Sequence, residues 1–214
     1  MYHVKEAFYT LQGEGAQAGR ASVFCRFSGC NLWSGREADR ATAKCTFCDT
    51  DFIGTDGQNG GRFITAADLA AHIRALWPKD ASNAVPYVVF TGGEPLLQLD
   101  APLIDMLHDE GFEIAVETNG TLPPPPGIDW LCVSPKGNNA LAVSGGSELK
   151  LVFPQVDAQP EQFKHLAFDH FFLQPMDVSP LGQQADTIAS ATQYCMANPQ
   201  WRLSLQMHKI AGFD

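Results

Sequence analysis

The sequence predicts an α/β protein with a mainly parallel sheet. Short apolar runs typical of buried strands alternate along the chain with amphipathic segments that begin at helix-capping residues, and the connectors between them are short. No internal repeat or long linker divides the 214 residues. A chain of this length can bury a substantial core, so we expect a single domain over residues 1–214.

Seven segments are predicted to be strands. Six are short and rich in aliphatic, β-branched and aromatic residues, which indicates strands that are largely buried. The seventh alternates apolar with polar residues, which is typical of a half-exposed strand. The buried strands are predicted at residues 21–27, 85–90, 112–117, 130–133, 148–153 and 170–173, and the half-exposed strand at 201–208.

Three segments between these strands carry helix signals. The side chains of Thr65 and Asp100 can each accept backbone N–H groups at the start of a helix. The first of these helices should end near Leu76 and the second before Gly111. A later helix is predicted from apolar and small residues at positions 188, 191, 192 and 195.

The net charge of the chain indicates which kinds of partner it can bind. The formal net charge is −10 and no basic stripe is visible, so we expect a small-molecule substrate and no nucleic-acid partner. No run of about 18 apolar residues occurs, and the first residues lack the apolar core of a signal peptide. We therefore expect no membrane span and a cytoplasmic protein.

Three of the six cysteines are spaced Cys30-x14-Cys45-x2-Cys48. The two cysteines of a Cys-x2-Cys turn can reach the same metal centre, and Cys30 adds a third thiolate from the start of the same loop. Four thiolates would close a cubane cluster or a tetrahedral zinc site. Three leave one iron of a [4Fe–4S] cluster open, which is what chemistry at a metal requires.

Cys25 offers a second interpretation, because four cysteines could form a structural zinc site. Side chains alternate between the faces of a strand, so Cys25 should share a face with Val23 and Phe27 as a core thiol. Cys132 and Cys195 also lie in apolar surroundings and are interpreted as core residues. On the cysteines alone, the open cluster and the zinc site remain about equally favoured.

The run Thr91-Gly92-Gly93-Glu94-Pro95 decides between the two interpretations. It directly follows a predicted buried strand, where paired glycines let a ligand approach the backbone closely. Glu94 adds a carboxylate that could receive an ammonium group. Gly-Gly alone could be a plain turn, but this run downstream of a three-cysteine loop favours the open cluster.

Together these motifs resemble the radical SAM (S-adenosylmethionine) superfamily. The 14-residue gap departs from the usual Cys-x3-Cys-x2-Cys spacing and resembles one family in particular, 7-carboxy-7-deazaguanine synthase. Further short motifs match that family in order along nearly the whole chain. They lie at residues 8–15, 24–31, 48–50, 117–120, 133–136, 173–177 and 205–209.

The resemblance implies an enzyme of queuosine and 7-deazapurine biosynthesis. Such a carbon–nitrogen lyase converts 6-carboxy-5,6,7,8-tetrahydropterin to 7-carboxy-7-deazaguanine with release of ammonia. The implied fold is an open, abbreviated (β/α) partial barrel with an insertion in the cluster loop at about residues 31–44. The implied cofactors are a [4Fe–4S] cluster, SAM and Mg²⁺, and the implied partners are a second copy in a homodimer and a reducing protein such as a flavodoxin.

The resemblance also implies a role for individual residues. The cluster would bind Cys30, Cys45 and Cys48, and Mg²⁺ would bind Thr50, with no catalytic residue beyond the cluster and SAM. The substrate would contact Leu11, Gln12, Gly13, Glu14, Arg26 and Thr91, with the Glu14 carboxylate accepting adjacent N–H groups and Arg26 forking onto the substrate carboxylate. SAM would contact Gly92, Gly93, Glu94, Ser134, Pro135, Lys136, Gln174, Pro175, Met176 and Asp177.

Two alternatives remain at this point. A radical SAM activase that makes a glycyl radical on a partner protein would share the small size and open barrel, but such enzymes typically keep the tight cysteine spacing. A zinc-stapled binding module would use Cys25 as the fourth ligand.

Overall fold

The computed structural model describes residues 1–81, 83–178 and 184–213, with the backbone alone described at 184 and 185. The predicted alternation of strands and helices holds for only part of the described chain, since no α-helix lies between residues 11 and 21 or between residues 118 and 167. The strands are β1 (Tyr2–Leu11), β2 (Ala21–Phe27), β3 (Gly61–Phe63), β4 (Tyr87–Gly92), β5 (Glu113–Thr118), β6 (Trp130–Val133), β7 (Gly145–Phe153), β8 (Ala167–Pro175) and β9 (Trp201–Leu203). The α-helices are α1 (Ala66–Leu76), α2 (Ala101–Asp109), α3 (Gln184–Ala197) and α4 (Met207–Ala211).

All of these strands belong to one sheet in the order β3-β1-β2-β4-β5-β6-β7-β8-β9. From β2 to β9 every neighbouring pair is parallel, whereas β1 runs antiparallel to both β2 and β3. In the ranges that the structure describes, no pairing joins β9 back to β3. The sheet is therefore curved but open, which confirms the predicted partial barrel.

Both predicted helix caps are confirmed. The Thr65 hydroxyl accepts from the backbone of Asp68 at 3.1 Å, and the Asp68 carboxylate accepts from the backbone of Thr65 at 3.0 Å, a reciprocal capping box. The Asp100 carboxylate accepts from the backbone of Leu103 at 3.2 Å. It also accepts from the hydroxyl of Tyr2 at 2.6 Å, so this cap ties α2 to the first strand.

The apolar core lies between the convex face of the sheet and the helices. One cluster packs α1 and α2 against β1, β2, β4 and β5, and a second packs α3 against β7, β8 and β9. Alternation along β2 sends Val23, Cys25 and Phe27 into the first cluster, where all three are fully buried. The opposite face of β2 carries Phe24 and Arg26, which therefore face the concave side.

The structure corrects the sequence analysis at the two ends of this sheet. The strand predicted at 201–208 ends at Leu203, and α4 begins at Met207. The chain turns there because the backbone of Ser204 bonds to Leu173 and that of Met207 bonds to Gly13, outside the ladder. At the other end, neither the edge strand β3 nor its neighbour β1 was predicted. In β1 a bulge between Val4 and Glu6 breaks the period-two pattern. Among the described helices, none has the length and apolar composition that crossing a membrane requires.

Candidate active site

A cavity of about 540 Å³ opens on the concave face of the sheet. Its walls come from β1, β2, β4, β5, β7 and β8, with the Cys48–Asp51 segment and α4 at its edge. The predicted site residues that line it are Leu11, Gln12, Gly13, Glu14, Arg26, Cys48, Thr50, Thr91, Gly92, Gly93, Ser134, Lys136, Gln174, Pro175, Met176 and Asp177. Those outside its lining are Cys30, Cys45, Glu94 and Pro135.

Three of the cysteines lie close enough to influence one another. The Cys45 thiol interacts electrostatically with Cys30 and Cys48, and burial raises the pKa of both Cys30 and Cys45. Cys25 is fully buried in the core of the convex face, where burial raises its pKa strongly and the neighbouring charge is that of Arg26. Cys25 is therefore a structural thiol, as predicted, and does not join the other three.

This donor set fits an iron–sulfur cluster, because each thiolate of a cubane binds a different iron. Three nearby cysteines on one loop, with Cys25 turned into the core, match a cluster that keeps one iron open.

The Gly92-Gly93 pair brings the end of β4 into contact with the cysteine loop. A Cβ atom at Gly93 would lie less than 3.0 Å from the carbonyl oxygen of Gly29 and from Cβ of Cys30. The backbone N–H of Glu94 donates to the same Gly29 carbonyl at 2.9 Å. Only glycine allows this approach, so the two predicted binding motifs are packed directly against each other.

The Glu94 side chain turns away from the cavity. Its carboxylate accepts from the Thr118 hydroxyl at 2.7 Å and from the backbones of Asn119 at 2.8 Å and Leu96 at 3.0 Å. Burial raises the pKa of Glu94, and these three donors oppose that shift. The carboxylate thus fixes the end of β5, where Thr118 and Asn119 line the cavity, a role that the sequence did not indicate.

A buried ion network lies inside the cavity. The Lys150 ammonium donates to Glu14 at 2.5 Å and to Glu117 at 3.1 Å. Burial alone would raise the pKa of Glu14, but the Lys150 charge and the hydrogen bonds to Glu14 lower it instead. Burial alone would lower the pKa of Lys150, and the two carboxylates raise it well above its usual value. Two carboxylates on one ammonium leave this network with one net negative charge.

Three glutamine amides surround this network. Gln174 and Gln206 donate to the same Glu14 oxygen at 3.2 and 3.1 Å, and Gln12 donates to Glu117 at 3.1 Å. Among the residues that the structure describes, the buried side-chain oxygen of Gln174 has no hydrogen-bond partner. A buried acceptor of this kind is suited to an N–H group of a bound ligand.

The connection between β1 and β2 lines the cavity with residues 12–14 and crosses to the far strands of the sheet. The backbone N–H of Ala16 donates to Glu148 at 2.8 Å, and that of Gly15 donates to the Ser204 hydroxyl at 2.9 Å. Gly15 has φ +67°, and a Cβ there would lie less than 3.0 Å from the Glu148 carboxylate. Glycine at this position therefore lets the segment reach β7 and the end of β9.

Ion pairs surround the outer rim of the cavity. Arg26 donates to Glu6 at 2.8 Å, and Lys5 pairs with Asp51 at 2.9 Å. Lys209 of α4 pairs with Asp49 at 3.0 Å and also with Asp177, so it joins α4 to the Cys48–Asp51 segment and to the segment after β8. On the SAM side predicted from the sequence, the Lys136 ammonium donates to the Ser134 hydroxyl at 2.5 Å.

Comparisons with known proteins agree with this geometry. The family model described as the radical SAM superfamily matches residues 39–141. The 7-carboxy-7-deazaguanine synthase of Bordetella pertussis is 66% identical over 211 residues, which cover 99% of this chain and 98% of that protein. The protein of the same name from Bradyrhizobium diazoefficiens is 63% identical over 211 residues, with the same coverage.

The chain belongs to the 7-carboxy-7-deazaguanine synthase family. The crystal structure of QueE from Escherichia coli has the same fold, with a TM-score of 0.70 and 28% identity over 97% of this chain and 94% of that one. Membership in this synthase family confirms the resemblance inferred from the motifs. As a radical SAM protein of that family, the chain uses a [4Fe–4S] cluster and SAM.

Several residues that line the cavity of this synthase were assigned no site role from the sequence. Glu117 and Lys150 complete the ion network, and Gln206 and His208 come from the segment wrongly predicted as the end of a strand. One signal could have found Lys150: it lies between Leu149 and Leu151 in a run predicted to be buried, where an unpaired charge is costly.

Proposed function

We propose that this chain converts 6-carboxy-5,6,7,8-tetrahydropterin to 7-carboxy-7-deazaguanine and ammonia, as the carbon–nitrogen lyase of queuosine and 7-deazapurine biosynthesis. One observation carries the proposal. The Gly92-Gly93 strand end packs on the loop of Cys30, at a cavity that also contains a buried network with net negative charge. The glycine pair beside the cysteine loop and a polar recognition surface thus line the same cavity.

The cluster would be held by Cys30, Cys45 and Cys48, and the cofactor along the carboxyl ends of β4, β6 and β8. When bound, the cluster and SAM supply a 5′-deoxyadenosyl radical that can abstract hydrogen from the substrate. The protein's own part is positioning. The close approach of Gly93 to Gly29 and Cys30 sets the strand end that would hold the methionine end of SAM directly beside the cysteine loop. Lys136, Ser134 and the segment at 174–177 would contact the rest of SAM.

The buried network suits the amide and amine edge of a pterin. A carboxylate offers about four acceptor positions, and Glu14 uses three of them, for Lys150, Gln174 and Gln206. The fourth position and the unpartnered oxygen of Gln174 together provide two acceptors for two adjacent N–H groups. The net negative charge of the network also favours a donor-rich ligand edge.

Arg26 would bind the substrate carboxylate at the rim. Its guanidinium donates to Glu6 in the structure, and guanidinium groups can form paired hydrogen bonds with carboxylates. Thr91 lines the cavity beside it, in register with Arg26 on the neighbouring strand. Both side chains would thus fix the end of the pterin opposite to the end that Glu14 receives.

A magnesium ion at Thr50 is part of the proposal. Thr50 lines the cavity between Asp49 and Asp51, and its hydroxyl lies 3.5 Å from Asp49. These are hard oxygen donors, and Mg²⁺ typically keeps several waters and takes few protein ligands. Both flanking carboxylates already pair with lysines, so a bound ion would gain its other oxygens from water and substrate.

Anaerobic turnover tests the function. The reconstituted protein, given SAM, a reductant and 6-carboxytetrahydropterin, is expected to release one ammonia per 7-carboxy-7-deazaguanine, with no partner protein to modify. Cys30→Ser should be inactive, and EDTA should lower the rate of the wild type until Mg²⁺ is restored. A colourless wild-type protein that carries one zinc per chain would overturn the proposal, and turnover that requires a polypeptide substrate would favour the activase.

The homodimer and the reducing partner, such as a flavodoxin, rest on the family resemblance. Light scattering of the purified chain tests the first, with twice the chain mass expected. Turnover with a flavodoxin and its reductase in place of a chemical reductant tests the second.

A further inference from the structure

The 14 residues between Cys30 and Cys45 form a loop too long to hold the cysteines in fixed positions relative to one another by its length alone. A three-residue connection restricts two cysteines to a small volume, whereas a longer loop leaves its ends far more freedom. Its start and end are held by backbone bonds, since the Leu32 carbonyl accepts from Lys44 at 3.0 Å and from Cys45 at 3.3 Å. These bonds do not reach Cys48, which lies three residues further along the chain.

Arg40, from the middle of this loop, does reach it. The Arg40 guanidinium donates to the carbonyl of Cys48 at 3.0 Å and to that of Thr46 at 3.1 Å. The same group donates from Nε to both carboxylate oxygens of Glu37 at 2.8 Å. One side chain therefore spans from the inserted turn to the last cysteine.

Arg40 is itself held in place by the start of the loop. Its guanidinium lies over the ring of Trp33, 4.1 Å from the centroid. The buried Trp33 packs edge-on against Phe52 at 5.6 Å, and its indole N–H donates to the carbonyl of Arg36 at 3.1 Å. The exposed Glu37 pair would contribute little alone, so the two carbonyl bonds and the aromatic stack are the informative contacts.

We propose that Arg40 is a positioning residue that holds the Cys45–Cys48 turn in place for the cluster. The inference rests on the proposed cluster chemistry and gives the cluster-loop insertion a structural role, because the insertion supplies the side chain that replaces the missing short tether. A planar guanidinium can donate to two carbonyls and a carboxylate at once, which a lysine ammonium on a flexible stem does poorly.

Matched variants of two arginines in the same loop test this role. Arg40→Met keeps much of the stem but removes the donors, and Arg36→Met removes an equal charge from an exposed neighbour. Alkylation of Cys45 and Cys48 in the metal-free, reduced protein reports the turn without any cluster. Loss of charged hydrogen bonds should make alkylation roughly tenfold faster in Arg40→Met and leave it unchanged in Arg36→Met.

Cluster loading gives a second readout. After identical reconstitution, Arg40→Met should retain less than about half of the wild-type iron and sulfide, and Arg40→Lys should fall between the two. Glu37→Gln, which keeps the arginine but weakens its orientation, should shift alkylation in the same direction by a smaller factor.

Equal alkylation rates in Arg40→Met and wild type would overturn the proposal, as would equal effects of Arg36→Met and Arg40→Met. If the wild type itself takes up no iron, the proposed function fails, while the alkylation rates still decide the role of Arg40.

Discussion

Replacing Lys150 by methionine should damage the fold more than any comparable change at the rim. The Lys150 side chain is only 5% exposed and pairs with two carboxylates, those of Glu14 and Glu117. Methionine fills a similar volume but leaves both acids without a cation. Removing one partner of a buried ion pair typically costs about 3–5 kcal/mol in the free energy of unfolding. In a chain of this length, about 2–4 °C is lost per kcal/mol, so the melting temperature should fall by roughly 6–20 °C.

The stability of Lys150→Met should change with pH in the opposite direction to that of the wild type. In the wild type the pKa of Glu14 is lowered, so its pairing stabilises the protein above the ordinary carboxyl pKa, and this contribution is lost as the pH falls through the lowered value. In Lys150→Met the burial of Glu14 should raise its pKa instead. The folded variant then binds a proton that the unfolded chain does not, and its stability should rise as the pH falls. The loss of stability in Lys150→Met relative to the wild type should be largest at about pH 7–8 and become smaller towards about pH 5.

Thermal unfolding of the metal-free protein across this pH range measures the effect. Lys209→Met is the matched control, because Lys209 also pairs with two aspartates but is 40% exposed. Lys209→Met should lower the free energy of unfolding by no more than about 1 kcal/mol. If Lys150→Met melts within about 2 °C of the wild type near neutral pH, or if its deficit grows on acidification, the reasoning about the buried network is wrong.

Three further predictions concern the cluster, the cofactor and the substrate. Cys30→Ser should carry little iron by metal analysis, whereas Cys25→Ser should load normally and lose about 1–3 kcal/mol of stability in urea unfolding, because its hydroxyl is buried without a partner. Gly93→Ala places a methyl group against both Gly29 and Cys30 and should weaken SAM binding at least tenfold in equilibrium dialysis. Arg26→Met should lower kcat/KM for the pterin by roughly 10–100-fold through KM, and an unchanged KM would remove Arg26 from the substrate site.

The strands were predictable where burial dictates the pattern. The predicted bounds of β2 and β6 agree with the structure at every residue, and β4 and β5 differ from it by one or two residues at each end. β1 escaped prediction because its bulge shifts the alternation at Val4–Glu6. The segment after Leu203 alternates apolar with polar residues as a strand does, and was therefore predicted as one. Its polar side chains point into the cavity instead of to solvent, since Gln206 donates to Glu14.

The candidate site was predictable where a motif is local and not where it is assembled across the chain. The cysteine loop and the glycine pair are local motifs, and their combination points to the site. Lys150 lies 136 residues from Glu14 and 33 from Glu117, so no local pattern joins them. Glu94 was recognised from its local motif, but its role was not. Its carboxylate bonds to the end of β5, and the sequence around Glu94 does not show which residues of a neighbouring strand it contacts.

The contacts of residues 12–15 with the last part of the chain have a consequence for how the protein is made. Their partners, Ser204, Gln206 and Met207, are about 190 residues later in the chain. At ribosomal rates of about 5–20 residues per second, Glu14 waits roughly 10–40 s in water before its enclosing segment exists. During synthesis the first strand can pair with the second as soon as both have left the ribosome. The cavity can form only after residues 204–207 have also been released.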